Sequence, residues 1–248
     1  MGQVSYEIPG RTAMVTGGGS GIGRAIGLGL ARAGVSVAVL DRTGPSAAAV
    51  AKELEEAGAR ALALSADVGS SAEVAGAVSE AAAALGPIAI LVNCAGIYPR
   101  SRVADMEEAE WDRVFATNLK GVFLASRAVI PDMARAGGGR IVSITSELGV
   151  AGSPTGAHYA GSKAGINAFT RSLAKELAGE HITVNAVAPG LTDTPMMRGA
   201  NSPEYIEAVA KSSPGGRLGQ PADCVDLVLF LVSEGGRRLS GQVISLRP

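Results

Sequence analysis

Short apolar runs alternate with longer stretches of mixed polarity along most of the 248 residues, the pattern left by buried strands and crossover helices around a parallel sheet. Ala13-Met14-Val15 leads into a glycine-rich turn, and Arg24 to Ala33 reads as a helix ending at Gly34. Val35 to Leu40 is a second buried strand that stops at Asp41. The cycle repeats with a helix over Ala47 to Ala57 closing at Gly58, a strand over Ala61 to Ser65, a helix over Ala72 to Leu85 and a strand over Ile88 to Val92. Glu107 to Ala134 predicts one long helix around Trp111 and Phe115, ended or bent by Pro131. Strands follow at Arg140 to Thr145, Ile182 to Val187 and Gln242 to Leu246, with a helix over Tyr159 to Leu177. The expected fold class is α/β, a doubly wound seven-stranded parallel sheet flanked by helices, with no linker dividing residues 1–248. Between Thr192 and Gly219 the alternation breaks at Pro195, Pro203 and Pro214, around a short helix near Glu204 to Lys211. An excursion of this kind beside strand carboxyl ends is where a substrate lid is expected.

Composition narrows the partners. Charged residues are 18%, apolar residues 47% and glycines number 34, which suits a compact enzyme rich in tight turns. A net charge of -1 without a basic run leaves no electrostatic footprint for nucleic acid. Residues 81–99 carry no charge, yet Gly86-Pro87 divides them into a helix end, a turn and a strand, so no membrane span is expected. Cys94 and Cys224 supply neither a disulfide framework nor the spacing of a metal site, and a reducing cytoplasm is the expected home. Near the N-terminus Glu7 and Arg11 flank Ile8-Pro9-Gly10, and Tyr6 stands where a myristoylation signal on Gly2 needs Ser or Thr.

Three clusters carry chemistry. The segment Thr16-Gly17-Gly18-Gly19-Ser20-Gly21-Ile22-Gly23 follows the first strand and opens a helix, the context in which a glycine-rich turn of a Rossmann fold cradles a pyrophosphate on free backbone N–H groups. Asp41, at the end of the second strand, can accept hydrogen bonds from both adenosine ribose hydroxyls and would repel a 2′-phosphate. This favours NAD, with NADP less favoured; the adjoining Arg42 is the competing feature, while Ser20 brings no positive charge into the turn. Tyr159 and Lys163 lie four residues apart, on one face of a helix, thirteen residues after Ser146. A cation beside a phenol favours phenolate, so the spacing predicts that Lys163 makes Tyr159 acidic enough to exchange a proton.

With these motifs in order, the chain resembles the short-chain dehydrogenase/reductase family over nearly its whole length. Thr16 to Gly23 matches that family's TGxxxGxG turn; Asn93-Cys94-Ala95-Gly96 matches its NNAG strand end with Cys94 in the second place. Asn118 matches its helix asparagine, Ser146, Tyr159 and Lys163 its serine and YxxxK pair, and Pro189-Gly190 the turn after the sixth strand. The resemblance implies hydride transfer between a nicotinamide cofactor and a ketone or secondary alcohol. It assigns Tyr159 as general acid or base, Ser146 as the group that orients the reacting oxygen, and Asn118 as anchor of a water linking Lys163 to solvent. It implies cofactor contacts from Gly17, Ser20, Gly21, Ile22, Gly23, Asp41, Arg42, Asp67, Val68, Asn93, Ala95, Gly96, Tyr159, Lys163, Pro189, Gly190, Thr192 and Thr194. It also implies a tetramer, which the atypical tail from Ser240 to Pro248 weakens; the helical stretches around Trp111 to Val129 and Ala160 to Leu177 offer pairing across a dyad for a homo-oligomer.

Each residue also has a plainer explanation: Tyr159 as a core tyrosine, Lys163 as a solvated charge, Ser146 as a strand end, Asn118 as a helix side chain bonded to nearby backbone. Their occurrence together favours catalysis. His158 points away from Tyr159 on helical geometry and is expected to face solvent or another subunit; His181 is expected at the surface. Glu147 is expected to be solvated. Tyr98, Glu147, Leu148, Thr192, Met196, Met197 and Tyr205 form the candidate substrate pocket, open to a β-oxoacyl thioester, a polyol, a cyclic ketone or a steroid. The rival functions are a dinucleotide-binding sensor or scaffold without turnover, and an epimerase or lyase using NAD transiently.

Overall fold

Seven strands, Thr12–Thr16 (β1), Ser36–Asp41 (β2), Ala61–Ser65 (β3), Ile90–Asn93 (β4), Gly139–Ile144 (β5), Ile182–Pro189 (β6) and Val243–Leu246 (β7), pair in the order β3-β2-β1-β4-β5-β6-β7. Every pairing is parallel. The computed structural model describes residues 6–9, 12–213 and 215–247. Gly2, Gly10, Arg11, Pro214 and Pro248, read above from the sequence, lie outside the described residues. Strand order reverses between β1 and β4, and in a doubly wound sheet that switch opens a crevice beyond the strand carboxyl ends.

Alternation along each strand feeds two cores. Met14 faces a layer with Leu124, Val129, Met133 and Leu173, while Ala13 and Val15 face a layer with Ile26, Leu30, Leu54 and Val228. Helices Gly21–Arg32 (α1) and Gly44–Glu56 (α2) cover the second face. Ser71–Leu85 (α3), the chain from Glu108–Phe115 (α4) to Gly121–Arg135 (α5), and Ala157–Glu176 (α7) cover the first, with short helix Leu148–Ala151 (α6) before α7. Beyond β6, Pro195–Ala200 (α8) and Pro203–Ser212 (α9) form the proline-marked excursion, and Val225–Val232 (α10) returns to the sheet.

The uncharged stretch resolves as the end of α3, a turn at Gly86 and β4, which starts at Ile90 rather than Ile88. Among the described residues, no helix is long and apolar enough to cross a membrane.

Two expectations need correction, and one helix went unread. The single helix over residues 107–134 is two α-helices joined by a π-helical segment, Ala116–Lys120, at whose centre Asn118 is fully buried. Periodicity over the whole stretch averages across that register slip. Pro131 does not end the helix: α5 continues to Arg135, and the packing of Val129 and the fully buried Met133 offsets the one hydrogen bond that proline forfeits. Helix α10 was not expected because Val-Asp-Leu-Val-Leu-Phe-Leu-Val is too uniformly apolar to show an amphipathic period.

Candidate active site

The crevice at the switch point is a cavity of about 560 Å³. One end is lined by Gly17, Ser20, Gly21, Ile22, Gly23 and Asp41, the centre by Gly96, Ser146, Tyr159 and Lys163, and the far side by Pro189, Gly190, Thr192 and Thr194. A Cβ on Gly17 would lie 2.7 Å from the backbone of Ala95, and one on Gly23 would lie 2.2 Å from the carbonyl oxygen of Gly17. The turn is folded on itself as tightly as main chain allows, and α1 begins inside it at Gly21, three residues earlier than expected, with its free N–H end toward the cavity. Thr16, absent from the predicted site, clamps β1 to the next loop: its Oγ1 accepts from the N–H groups of Cys94 and Ala95 at 3.1 and 3.2 Å. Asp41 accepts from Gly19 N at 3.1 Å and Thr43 N at 2.9 Å, which holds its carboxylate on the cavity edge.

Five expected cofactor contacts are not among the residues lining this cavity. Arg42 lines an adjoining depression with Arg113, which shares Gly96, Tyr98 and Met196 with the cavity. Asp67 is used locally, its Oδ1 accepting from Gly69 N at 2.8 Å, and Val68 packs into the core beside Gly121. Asn93 is buried, its Nδ2 donating to Ser143 Oγ at 3.3 Å, and Ala95 meets the turn through its backbone. Val68 and Asn93 are buried away from the cleft, as alternation at a strand end turns half of a motif's side chains inward, whereas Arg42 is exposed.

At the centre, Tyr159 and Lys163 emerge from one face of α7. Lys163 is buried, and its Nζ donates to the Ile144 carbonyl at 2.8 Å and lies 5.6 Å from the centre of the Tyr159 ring. Burial pushes the phenol of Tyr159 up to about 12, opposed by its hydrogen bond with Ser146. Burial likewise brings the ammonium of Lys163 down to about 8. The expected acidification of Tyr159 by Lys163 is therefore corrected for the chain alone: desolvation dominates, and the phenol keeps its proton at neutral pH. Asn118 Oδ1 accepts from Ile97 N at 2.8 Å, and its Nδ2 donates to Ile97 O at 3.0 Å and to Ser162 Oγ at 3.1 Å. Both its donors are committed, so a second lone pair on Oδ1 is the remaining side-chain capacity for water.

Tyr98 stacks on Tyr159 with ring centres 4.1 Å apart and shares a 2.7 Å hydrogen bond with Ser153 Oγ. Leu148, Leu191, Met196, Met197, Tyr205 and Val209 extend the cavity toward α8 and α9. Glu147 is not simply solvated: its carboxylate pairs with Arg247, from the tail beyond β7. His158 is fully buried, with Nε2 3.2 Å from Glu110 Oε1 on α4. It does point away from Tyr159, but the opposite side of α7 is covered by α4 within the same chain. His181 is exposed as expected.

Comparison with known proteins agrees with this geometry. A family model described as short chain dehydrogenase matches residues 11–204. The chain is 40% identical over 235 residues to a Staphylococcus aureus protein named 3-oxoacyl-acyl-carrier-protein reductase FabG, covering 94% of this chain and 95% of that one. It is 38% identical over 258 residues to an Arabidopsis thaliana protein named NADPH-dependent aldehyde reductase-like protein, covering 98% and 94%. A crystal structure described as a short-chain alcohol dehydrogenase from Sinorhizobium meliloti superimposes with a TM-score of 0.93 at 38% identity, covering 98% of this chain and 96% of that chain. The glycine-rich turn at a sheet switch point, the tyrosine and lysine on one helix face and the matches along almost the whole chain lead to one conclusion: the protein belongs to the short-chain dehydrogenase family, oxidoreductases that move a hydride between a nicotinamide cofactor and a carbonyl or alcohol.

Proposed function

We propose that the protein is an NAD-dependent dehydrogenase/reductase of ketones and secondary alcohols, with Tyr159 exchanging a proton with the substrate oxygen. The observation that carries the cofactor choice is the Asp41 carboxylate, fixed on the cavity edge by Gly19 and Thr43. A phosphate placed there would meet a like charge, whereas two ribose hydroxyls would meet an acceptor. Arg42, the feature that competes with Asp41, lines an adjoining depression that shares Gly96, Tyr98 and Met196 with the cavity. The narrow glycine cradle fits a pyrophosphate, and Gly17, Ser20, Gly21, Ile22, Gly23, Pro189, Gly190, Thr192 and Thr194 would hold the dinucleotide. When bound, the cofactor supplies the hydride donor or acceptor and, when oxidised, a positive charge.

The chain's own residues handle the proton. Ser146, through its hydrogen bond to Tyr159, fixes the place of the reacting oxygen, and Tyr159 donates to that oxygen in reduction or accepts from it in oxidation. Burial holds Tyr159 up at about 12 and Lys163 down at about 8, so the phenol keeps its proton at neutral pH while the lysine loses its charge above about 8. Reduction draws on the protonated phenol beside a charged ammonium, so kcat/KM for reduction is expected to stay level at neutral pH and fall above about 8. Oxidation needs the phenol without its proton, so its kcat/KM is expected to keep rising with pH above neutral. Profiles measured in both directions check this, and a shared optimum with the same limbs would contradict it. Segment 192–219, with α8 and α9, acts as the substrate lid, and the half-exposed Trp111 and Phe123 of α4 and α5 provide the face for a homo-oligomer.

The cofactor reading is tested by following nicotinamide absorbance with NAD and NADP separately against a panel of ketones and alcohols. Asp41→Ser is expected to lower the preference for NAD over NADP by roughly ten- to a hundredfold, the size of lost hydrogen bonds to a charged acceptor. Higher kcat/KM with NADP in the unaltered protein would overturn the assignment. Absence of any turnover across the panel would instead favour a dinucleotide sensor.

A further inference from the structure

At the mouth of the cavity, the guanidinium of Arg100 sits 5.5 Å from the ring centre of Tyr98 and 5.1 Å from that of Tyr205. Two aromatic rings, one from the loop after β4 and one from α9, flank the cation. Arg100 makes no salt bridge within 4.0 Å among the described residues. The other charges on the cavity wall are engaged: Glu147 with Arg247, Asp41 with two backbone N–H groups, and Lys163 with the Ile144 carbonyl. Arg100 is thus, among the described residues, the charged side chain of this cavity whose hydrogen-bonding edge is uncommitted. A guanidinium presents a planar fork matched to a carboxylate, and stacking restrains its plane without consuming its N–H donors.

Its position is tied to the reacting centre. Tyr98 lies between Arg100 and Tyr159, stacked on the latter at 4.1 Å and fastened by its hydroxyl to Ser153. The wall beside this stack is apolar, formed by Leu148, Leu191, Met196 and Met197. We propose that Arg100 is the specificity-determining residue for a substrate with a carboxylate several bonds from the reacting carbon: a medium-length oxo acid in reduction, or the corresponding hydroxy acid in oxidation. This rests on the functional reading above and deepens it. One uncommitted cation at the rim, with Lys163 held by the Ile144 carbonyl, matches a monoanionic carboxylate better than a phosphate ester, whose charge approaches two. The neutral middle of the chain lies along the apolar wall, while the charged end stays at the wet rim.

The test uses methyl-ketone carboxylates of increasing chain length, from levulinate upward, each beside its methyl ester, with NADH and the full-length protein. The acids are expected to exceed their esters in kcat/KM by about tenfold or more at the best length, mainly through KM. Arg100→Met, which keeps the side-chain length and apolar packing, is expected to erase that advantage while leaving ester turnover and NADH affinity unchanged; Arg100→Lys is expected to restore part of it. Equal turnover of acids and esters by the unaltered protein, or equal loss of both in Arg100→Met, would overturn the proposal while leaving the dehydrogenase reading in place. If no ketone turns over, calorimetry of the same acids with the NADH-loaded protein decides separately. Binding that disappears in Arg100→Met supports the carboxylate subsite although the redox reading has failed, and absence of binding rejects it.

Discussion

Tyr159→Phe is expected to lower kcat for a ketone or alcohol by roughly a hundred- to ten-thousandfold, the range contributed by a positioned general acid or base. The substitution removes one oxygen and keeps the ring, so the stack on Tyr98 and the packing of α7 remain. Cofactor affinity is expected to stay within about twofold, because no backbone atom of the cradle moves. That separation distinguishes chemistry from architecture: nucleotide titration by fluorescence should be unaltered while turnover vanishes. The phenol holds its proton in the isolated chain, with burial pushing it up to about 12. A protonated donor is what carbonyl reduction consumes, so the loss should be visible in reduction at neutral pH. Turnover preserved in the Phe variant would reject the assignment and direct attention to Ser146 and Lys163, the other polar groups at the cavity centre.

The second large effect is expected at Gly23. An alanine Cβ there would lie 2.2 Å from the Gly17 carbonyl oxygen, 2.9 Å from its carbonyl carbon and 3.1 Å from the Cα of Gly18. All three are main-chain atoms, so no rotamer change relieves the contact and the glycine-rich turn must open. Overpacking typically costs about 1–3 kcal/mol, or ~2–4 °C in Tm per kcal/mol for a chain of this size. Dinucleotide affinity is expected to fall more steeply, at least about a hundredfold, since a displaced turn withdraws several N–H donors together. Gly76→Ala is the control. That glycine lies inside α3 with nothing within 4 Å of an added Cβ, and gains about 0.8–1.0 kcal/mol in helix propensity. Calorimetric Tm and nucleotide titration on both variants check the contrast; an undiminished nucleotide affinity in Gly23→Ala would mean that the turn does not cradle the cofactor.

Most of the sheet was legible because each strand announces itself locally: Ala61–Ser65 was read to the residue, and the others shifted by two positions or fewer at most ends. The reacting pair was legible because its spacing is that of a helix face. What escaped depends on three dimensions. Asn118 sits in a π-helical turn, and nothing in the apolar spacing of residues 107–134 marks where the register slips. The acidity of Tyr159 was misjudged because spacing shows which charge is near but not how much water is lost, and here desolvation outweighs proximity. His158 was placed by local geometry alone, which gives direction but not what lies in that direction; Glu110 is forty-eight residues earlier in the chain. Arg100 had no sequence signal, since its meaning comes from two rings that are remote from each other in sequence.

The Asp41 carboxylate serves two masters, the ribose that it would read and the main chain that it already anchors at Gly19 and Thr43. Erasing the acid alone would therefore also slacken the loop that grips either nucleotide, so a replacement at this position that keeps a tether for Gly19 is expected to change coenzyme preference at less cost to binding.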